Sequence, residues 1–238
     1  MGTENEIKTR RPRRSKADIE EAIQKAATAQ IKKKGFSLAL VTDIVKRAKI
    51  EPIVFYNRYK NLDEFYDTFV KNYDYWLSDL LNSHKDCIGT ENGYAEILSI
   101  LMHKLLDEQI MTELLRWEVS EGNHITERTA KIRELHCNEI IEIHKDAFPD
   151  TDVDVRAITT LIVAGIYFLV LHKDRSTFGD IDINTPAGLR RLDEAFRSLA
   201  SMLFRYRECK EQTRVIEERM RREGIPDEVI ARCMKDLI

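Results

Sequence analysis

The sequence predicts an all-α protein with a small N-terminal helical domain and a larger C-terminal one. Three observations carry this prediction: the 238 residues contain only nine Gly and five Pro, charged residues make up 33% of the chain, and every strong apolar period is helical. Scarce Gly and Pro argue against turn-dense β architectures, and the high charge suits amphipathic helices with solvated outer faces. Because no phosphate-binding glycine motif occurs, a doubly wound nucleotide-binding fold is disfavoured.

The apolar spacing and the helix stop signals divide the chain into four parts. We expect a flexible basic arm over residues 1–16, a small helical domain over 17–77, a helical body over 78–223 and a helical extension over 224–238. In the small domain a helix ends at Gly35 after three lysines. Two short helices follow, and Pro52 suits the first position of the second one. Asn61 is the predicted N-cap of a helix whose apolar stripe continues to Leu81.

Two short helices joined by a three-residue turn, behind a basic arm and a supporting helix, are the parts of a helix-turn-helix, placed here at about residues 40–59. Residues 1–60 carry 15 Lys and Arg against seven Asp and Glu, whereas the rest of the chain is acidic overall. A basic head on an acidic body predicts that only the head meets a polyanion.

This stretch resembles the tetracycline-repressor (TetR) family of transcriptional regulators. The matching residues are Gly35-Phe36, Val41 through Ile50 and Phe55 through Phe65, with gapless spacing over about residues 17–77. The resemblance implies a ligand-responsive regulator, most often a repressor, that binds a double-stranded DNA operator as a homodimer. It also implies a small-molecule effector site among the central helices. The sequence departs from the family pattern at several positions: Lys49 replaces the Gly of the turn, and Ile53-Val54 replaces a Gly-Thr pair. Several of the polar residues replaced in this way contact phosphate in family members.

The candidate DNA contacts lie on the arm and on the two short helices. They are Arg10, Arg11, Arg13, Arg14, Thr42, Pro52, Ile53, Val54, Tyr56, Asn57 and Lys60. A basic arm can enter the minor groove, although a solvated tail without a partner has the same composition. The resemblance makes Tyr56 a phosphate contact, and Asn57 is the expected reader of a base edge. Ile53 and Val54 either touch thymine methyl groups or pack against the first helix.

The helical body supplies candidates for an effector cavity and for a dimer interface. The cavity candidates, for which ordinary core packing is the alternative, are Tyr73, Trp76, Met102, Met111, Trp117, Phe148, Tyr167 and Phe168. The runs Val155–Leu171 and Leu189–Tyr206 are predicted to pair with a second copy in a four-helix bundle. The interface candidates are Ile158, Ile162, Ile166, Leu169, Leu192, Phe196, Leu199 and Leu203.

No catalytic or metal-binding motif stands out, so we expect neither an enzyme nor a cofactor. His136 and Glu139 have a ligand-like spacing, but a solvated charged face explains them better. The four cysteines form no CxxC pair and no signal peptide precedes them, which predicts a reducing cytoplasmic setting. The longest apolar run is shorter than the ~20 residues that span a bilayer, so no membrane partner is expected. The alternative function is a helical small-molecule-binding protein or enzyme on the same fold with weakened operator recognition.

Overall fold

The computed structural model describes residues 14–84, 89–149 and 153–235. Within these ranges there is no β-strand, and Phe178 and Ile181 form a single antiparallel bridge. The chain divides into two compact units, Met1–Lys71 and Asn72–Ile238, so the division falls ahead of the boundary expected at residue 77. The helices are α1 (Lys16–Lys34), α2 (Val41–Ala48), α3 (Pro52–Tyr56), α4 (Leu62–Val70), α5 (Trp76–Asn82), α6 (Glu91–Asp107), α7 (Gln109–Ser120), α8 (His124–Asp146), α9 (Val155–His172), α10 (Pro186–Arg222) and α11 (Asp227–Met234).

Local signals set the ends of the helices in the first unit. Ser15 caps α1 in a capping box: its side-chain oxygen accepts from the Asp18 N–H, and the Asp18 carboxylate accepts from the Ser15 N–H. The helix ends at Gly35, as predicted, where a φ of 77° favours glycine and the N–H donates to the Ile31 carbonyl at 2.8 Å. Asn61 caps α4, because its side-chain oxygen accepts from the Glu64 N–H at 2.9 Å.

The core of the first unit is a cluster of aromatic rings closed by α1 and α2. Neighbouring ring centroids in the cluster lie 5.0 to 6.2 Å apart, mostly in tilted or edge-to-face arrangements that aromatic quadrupoles favour. Its members are Phe36, Phe55, Tyr59, Phe65, Tyr66 and Phe69. Ile23 and Ile31 of α1 and Ile44 of α2 are fully buried. This packing holds the two short helices in place.

The predicted continuous stripe from Leu62 to Leu81 is interrupted. α4 ends at Val70, a 3₁₀ turn covers Lys71–Tyr73, and α5 begins at Trp76. Tertiary contacts of Asp74 accompany the break: its carboxylate accepts from Arg128 of α8 at 2.8 Å, and its carbonyl accepts from Nδ1 of His136 at 3.0 Å. The spacing of apolar residues carries no information about such contacts, so the sequence did not predict the interruption between α4 and α5.

Helix α6 lies at the centre of the second unit and contacts α7, α9 and α10. On the α10 side, Asp193 accepts from the Ser99 hydroxyl at 2.6 Å and contacts Nε2 of His103 at 3.2 Å. α8 contacts α5, α7 and α9. This arrangement surrounds a space between α5, α6, α8 and α9.

The chain after Gly224 returns onto α10. Gly224 has a φ of 77°, and α11 then packs against the charged C-terminal part of α10. Ile230 and Met234 of α11 are buried. The helical extension expected over residues 224–238 therefore packs two apolar side chains into the fold.

Candidate nucleic-acid interface and ligand cavity

Helices α2 and α3 form a helix-turn-helix with a strained turn. Lys49, the first residue of the turn, adopts a left-handed conformation with φ 55° and ψ 49°. For a residue with a Cβ this conformation costs roughly 1–2 kcal/mol. The Ile50 N–H donates back to the Val45 carbonyl at 3.2 Å, which closes the end of α2. Pro52 then opens α3, where its missing N–H costs no hydrogen bond.

The short helix α3 has one buried face and one exposed face. Phe55 is fully buried in the aromatic cluster, whereas Ile53 is 63% exposed and Tyr56 is 51% exposed. Val54 is half-buried, and Asn57, the C-cap, is exposed. The structure therefore turns Ile53, Tyr56 and Asn57 of the predicted DNA contacts outward from one short helix.

The remaining predicted contacts flank this helix or lie outside the described residues. Thr42 near the start of α2, Pro52 and Lys60 are exposed. Arg14 does not extend freely from the domain: its Nη1 donates to the carbonyl of Ala48, the last residue of α2, at 2.9 Å. A cation at a helix C-terminus is favourable for the helix dipole. Arg10, Arg11 and Arg13 lie outside the described residues.

A polar network joins α3 to α1. The Tyr59 hydroxyl donates to Oε1 of Glu20 at 2.5 Å, and burial, with Glu20 as the next cause, holds the pKa of that hydroxyl above its usual value. Arg58 donates to the Val54 carbonyl at 2.8 Å and lies 3.8 Å from Glu20. These contacts use the Arg58 guanidinium to fix α3 in the fold.

Tyr66 ties α4 to the segment that precedes α2. Its buried hydroxyl faces two backbone carbonyls, those of Ala39 at 2.8 Å and Phe36 at 3.1 Å. Burial raises the pKa of the Tyr66 hydroxyl. This contact fixes the entry into α2 and therefore its position under α3.

Sequence reasoning missed two large apolar side chains on the same unit. Leu38 and Leu40 are exposed, and Leu40 occupies the N-cap position of α2, where no side-chain cap hydrogen bond forms. The sequence does not indicate that they are exposed, because an isolated leucine between two helices can be either a buried core residue or an exposed residue of the connection.

The second unit contains a cavity of about 400 Å³ between α5, α6, α8 and α9. That volume lies within the range of small-molecule sites, and its wall is mainly apolar. The lining residues are Leu77, Leu81, Tyr94, Ile97, Leu98, Leu101, Ala130, Arg133, Glu134, Arg156, Thr159, Thr160, Val163, Ala164 and Tyr167.

Polar and charged side chains interrupt the apolar wall. Tyr94 and Arg133 have partners inside the fold, and the exposed side chains of Glu134 and Arg156 lie 4.0 Å apart. The Tyr94 hydroxyl contacts the Thr159 hydroxyl at 2.9 Å, and burial raises the pKa of the Tyr94 phenol. Arg133 forms a two-pronged ion pair with Glu118, whose carboxylate also accepts from the Thr129 hydroxyl at 2.7 Å. Because the Arg133 charge is matched by Glu118, the cavity favours a ligand that is largely apolar.

The cavity differs from the one expected from aromatic residues. Of the eight predicted lining residues only Tyr167 belongs to the wall. Met102, Met111, Trp117 and Phe148 are buried core side chains. The others are half-buried or exposed and lie away from the wall, namely Tyr73, Trp76 and Phe168. Aliphatic side chains line most of the cavity. Their spacing in the sequence is the same as in a core without a cavity, so the sequence could not identify them as lining residues.

The residues available for a dimer interface also differ from those expected. Ile166, Leu192 and Phe196 are buried within the protomer. Ile158, Ile162, Leu169 and Leu203 are half-buried, and Leu199 is exposed. The exposed large apolar residues are Leu161 and Phe168 on α9, and on α10 they are Met202, Val215, Ile216 and Leu199, of which only Leu199 belongs to the predicted set. The predicted α9 residues lie mostly on the side that packs against the core of the same chain. The sequence could not show this, because a helix that is apolar on all sides does not indicate which side faces inward.

The part of the chain that the structure describes offers no metal site. No group of three or more His, Cys, Asp or Glu side chains there is arranged to hold a metal ion. The His136 ring donates to the Asp74 carbonyl and stacks on Tyr75 at 4.9 Å. One described helix, α9, is long and apolar enough to cross a membrane by length and composition alone.

Together these features define a helix-turn-helix protein with an all-helical, cavity-bearing body. Two solved structures share the fold: the fatty acid degradation regulator FadR from Bacillus halodurans (TM-score 0.57, 15% identity, covering 78% of this chain and 97% of that one), and the transcriptional regulator FadR from Bacillus subtilis in complex with stearoyl-CoA (TM-score 0.57, 17% identity, covering 76% and 97%). A proposed TetR-family regulator from Mesorhizobium loti has a TM-score of 0.46 at 16% identity, covering 80% and 98%. No protein-family model and no curated protein sequence matches the chain. The predicted all-α fold is confirmed, and it is the fold of the two FadR structures.

Proposed function

We propose that this chain is a ligand-responsive transcriptional regulator that binds operator DNA through its helix-turn-helix unit. The observation that carries the proposal is α3: Phe55 anchors the helix in the core, while Ile53, Tyr56 and Asn57 face outward. A recognition helix needs this division, because one face must be fixed and the other must reach base edges and phosphates. The basic balance of residues 1–60 supports a polyanionic partner.

The proposed regulator acts in the cytoplasm as a homodimeric repressor. Exposed apolar side chains on α9 and α10, Leu161, Phe168, Leu199 and Met202, supply the surface for a second copy. A twofold dimer presents two heads to successive major grooves, about 34–36 Å apart. Such a dimer reads a pseudo-palindromic operator.

The proposed effector occupies the cavity between α5, α6, α8 and α9. The wall is mostly aliphatic and the space is about 400 Å³, which suits an extended acyl chain. The Bacillus subtilis structure of the same fold is a complex with stearoyl-CoA, which supports an acyl-CoA as the first effector to test. An effector that binds one conformation of the second unit more tightly than another shifts the population toward that conformation. The DNA affinity can change by at most the difference between the effector's binding free energies for the two conformations.

Selection from a random DNA pool, followed by gel-shift titration of the selected sequence, tests the proposal. We expect saturable, sequence-selective binding that stearoyl-CoA weakens. Replacing Asn57 by Ala should relax preference at one base position at a cost of about 1–3 kcal/mol. Replacing Lys33, an exposed lysine of α1 outside the helix-turn-helix, by Ala serves as the matched control. It should leave base preference unchanged.

The second candidate is a helical small-molecule-binding protein or enzyme without an operator. The exposed side chain of Ile53 favours this second candidate, because it has no polar group that could donate a hydrogen bond to a DNA phosphate. This candidate predicts acyl-ligand binding together with weak DNA retention that is equal for all sequences and vanishes with salt. The same selection experiment therefore separates the two functions.

A further inference from the structure

The outward side of α3 presents an apolar side chain beside an amide. Ile53 is 63% exposed and Tyr56 is 51% exposed, and Asn57 follows as the exposed C-cap. Their spacings of three and four residues place all three on one side of the helix. The described residues 53–57 include no Arg or Lys, the side chains that most often recognise guanine in the major groove. Arg58, the next basic side chain, is paired with α1 and with a carbonyl of α3. Guanine is therefore a poor partner for this side of α3.

Packing fixes the position of Ile53 in the free protein. Phe55, two residues further on, is fully buried, and its ring centroid lies 5.3 Å from that of Tyr59 and 5.6 Å from that of Phe65. The Ile53 carbonyl accepts from the Asn57 N–H at 2.9 Å. A β-branched side chain in a helix also has one strongly preferred rotamer. Ile53 therefore loses little conformational entropy when a binding partner covers it.

An isoleucine that faces the major groove distinguishes thymine from the other bases. Thymine presents its C5 methyl group there, whereas cytosine, adenine and guanine present hydrogen-bond donors and acceptors without a methyl group. Contact between the methyl group and Ile53 removes apolar surface of both from water. The Ile53 side chain has no donor or acceptor, so covering a polar base edge with it leaves that edge without a hydrogen bond, which costs free energy. Ile53 therefore both favours thymine and disfavours its competitors.

We infer that Ile53 determines the operator specificity of this protein by contacting the C5 methyl group of a thymine. The inference rests on the DNA-binding function proposed above and names the base that α3 recognises. DNA is the partner of this side of α3 because the surrounding part of the chain is basic: residues 1–60 carry 15 Lys and Arg against seven Asp and Glu.

Asn57 supplies the second base contact on the same side of α3. An asparagine amide pairs with N6 and N7 of adenine. Because a helix rises about 1.5 Å per residue, Ile53 and Asn57 are about 6 Å apart along α3, and the duplex rises about 3.4 Å per base pair. The operator half-site should therefore contain a thymine and an adenine about two base pairs apart.

The experiment removes the methyl group without changing the base pair. Each thymine of the operator selected from the random pool is replaced in turn by deoxyuridine, in both half-sites together, and the affinity is measured by fluorescence anisotropy at fixed salt. Wild type is compared with Ile53→Ala, Ile53→Val and Leu38→Ala. Ile53 is exposed, so shortening it leaves the core intact, and Leu38 is an equally exposed apolar residue outside α3 that serves as the matched control. Thermal melting checks that the variants are folded.

We expect deoxyuridine at one thymine position to weaken wild-type binding about fourfold per half-site, or roughly 15-fold for a twofold operator. Fourfold corresponds to about 0.8 kcal/mol, the value of one buried methyl group. Ile53→Ala should bind the thymine and deoxyuridine operators nearly equally, and Ile53→Val should keep most of the preference. Leu38→Ala should match wild type. With a C·G pair at the same position wild-type binding should weaken, and 5-methylcytosine, which restores the methyl group, should recover about fourfold per half-site.

Three results overturn the inference and leave the proposed regulator standing. The selected half-site contains no thymine, or deoxyuridine has no effect at any of its thymine positions, or the deoxyuridine effect persists in Ile53→Ala and so belongs to another side chain. Binding that is equal for all DNA sequences overturns the regulator as well.

Discussion

Replacing Tyr66 by Phe should loosen the first unit by removing a single oxygen atom. The Tyr66 hydroxyl is buried and serves the carbonyls of Ala39 at 2.8 Å and Phe36 at 3.1 Å. Because the Phe ring fills nearly the same space, packing is preserved, but both carbonyls lose this donor. Leaving buried acceptors without a donor costs about 1–3 kcal/mol. Native-state hydrogen exchange at pH 7 should show the opening free energy of α1 and α2 falling by that amount.

The same substitution should change how stability depends on pH. Burial raises the pKa of Tyr66 above its usual value near 10. Above that value the unfolded chain loses the proton while the folded protein keeps it, so the free energy of unfolding falls as pH rises. The slope is about 1.4 kcal/mol per pH unit for one group. Below pH 9 this contribution is constant.

Urea denaturation at pH 8 and pH 11, followed by circular dichroism, measures this loss. Wild type should lose more stability between the two values than Tyr66→Phe, although Tyr59 and Tyr73 keep some sensitivity in both. Burial, and secondarily Glu108, raises the pKa of Tyr73 to about 12. Tyr56→Phe, at a half-exposed ring, is the control and should match wild type at pH 7. Equal opening free energies for Tyr66→Phe and wild type would refute the role given to the hydroxyl.

Three further substitutions test other parts of the structure. Lys49→Gly should raise the opening free energy of α2 in hydrogen exchange by about 1 kcal/mol, because glycine adopts the left-handed conformation without the Cβ penalty; an unchanged value would contradict the strain. Gly188→Ala should lower the free energy of unfolding in urea by about 1–3 kcal/mol, since its Cβ would stand 1.9 Å from the Asp182 carbonyl oxygen; wild-type stability would show that the backbone moves aside without cost. Arg128→Met should cost about 3 kcal/mol by leaving the nearly buried Asp74 carboxylate without its ion pair. Asp74→Asn in the same protein should restore part of that loss, and no restoration would mean that the pair is not coupled.

The architecture of the first unit was predictable because its signals are local. Gly35 ends α1 by its left-handed backbone, Pro52 opens α3, and Asn61 caps α4. Each of these residues starts or ends a helix through contacts with residues only a few positions away. The positions of the helix ends can therefore be predicted from the sequence alone. The outward position of Ile53 and Tyr56 follows from one buried neighbour, Phe55, on a short helix.

The cavity of the second unit and the exposed face of α9 were decided by tertiary structure. Aliphatic residues such as Leu77, Leu98 and Val163 show the same period whether they meet another side chain or an empty space. Likewise, a helix that is apolar all round has no preferred side, so packing against α6, α7 and α8 selects Ile166 for the core and leaves Leu161 on the surface. The sequence determined that α9 is apolar on nearly all sides, and the tertiary structure determined which of its residues are buried and which are exposed.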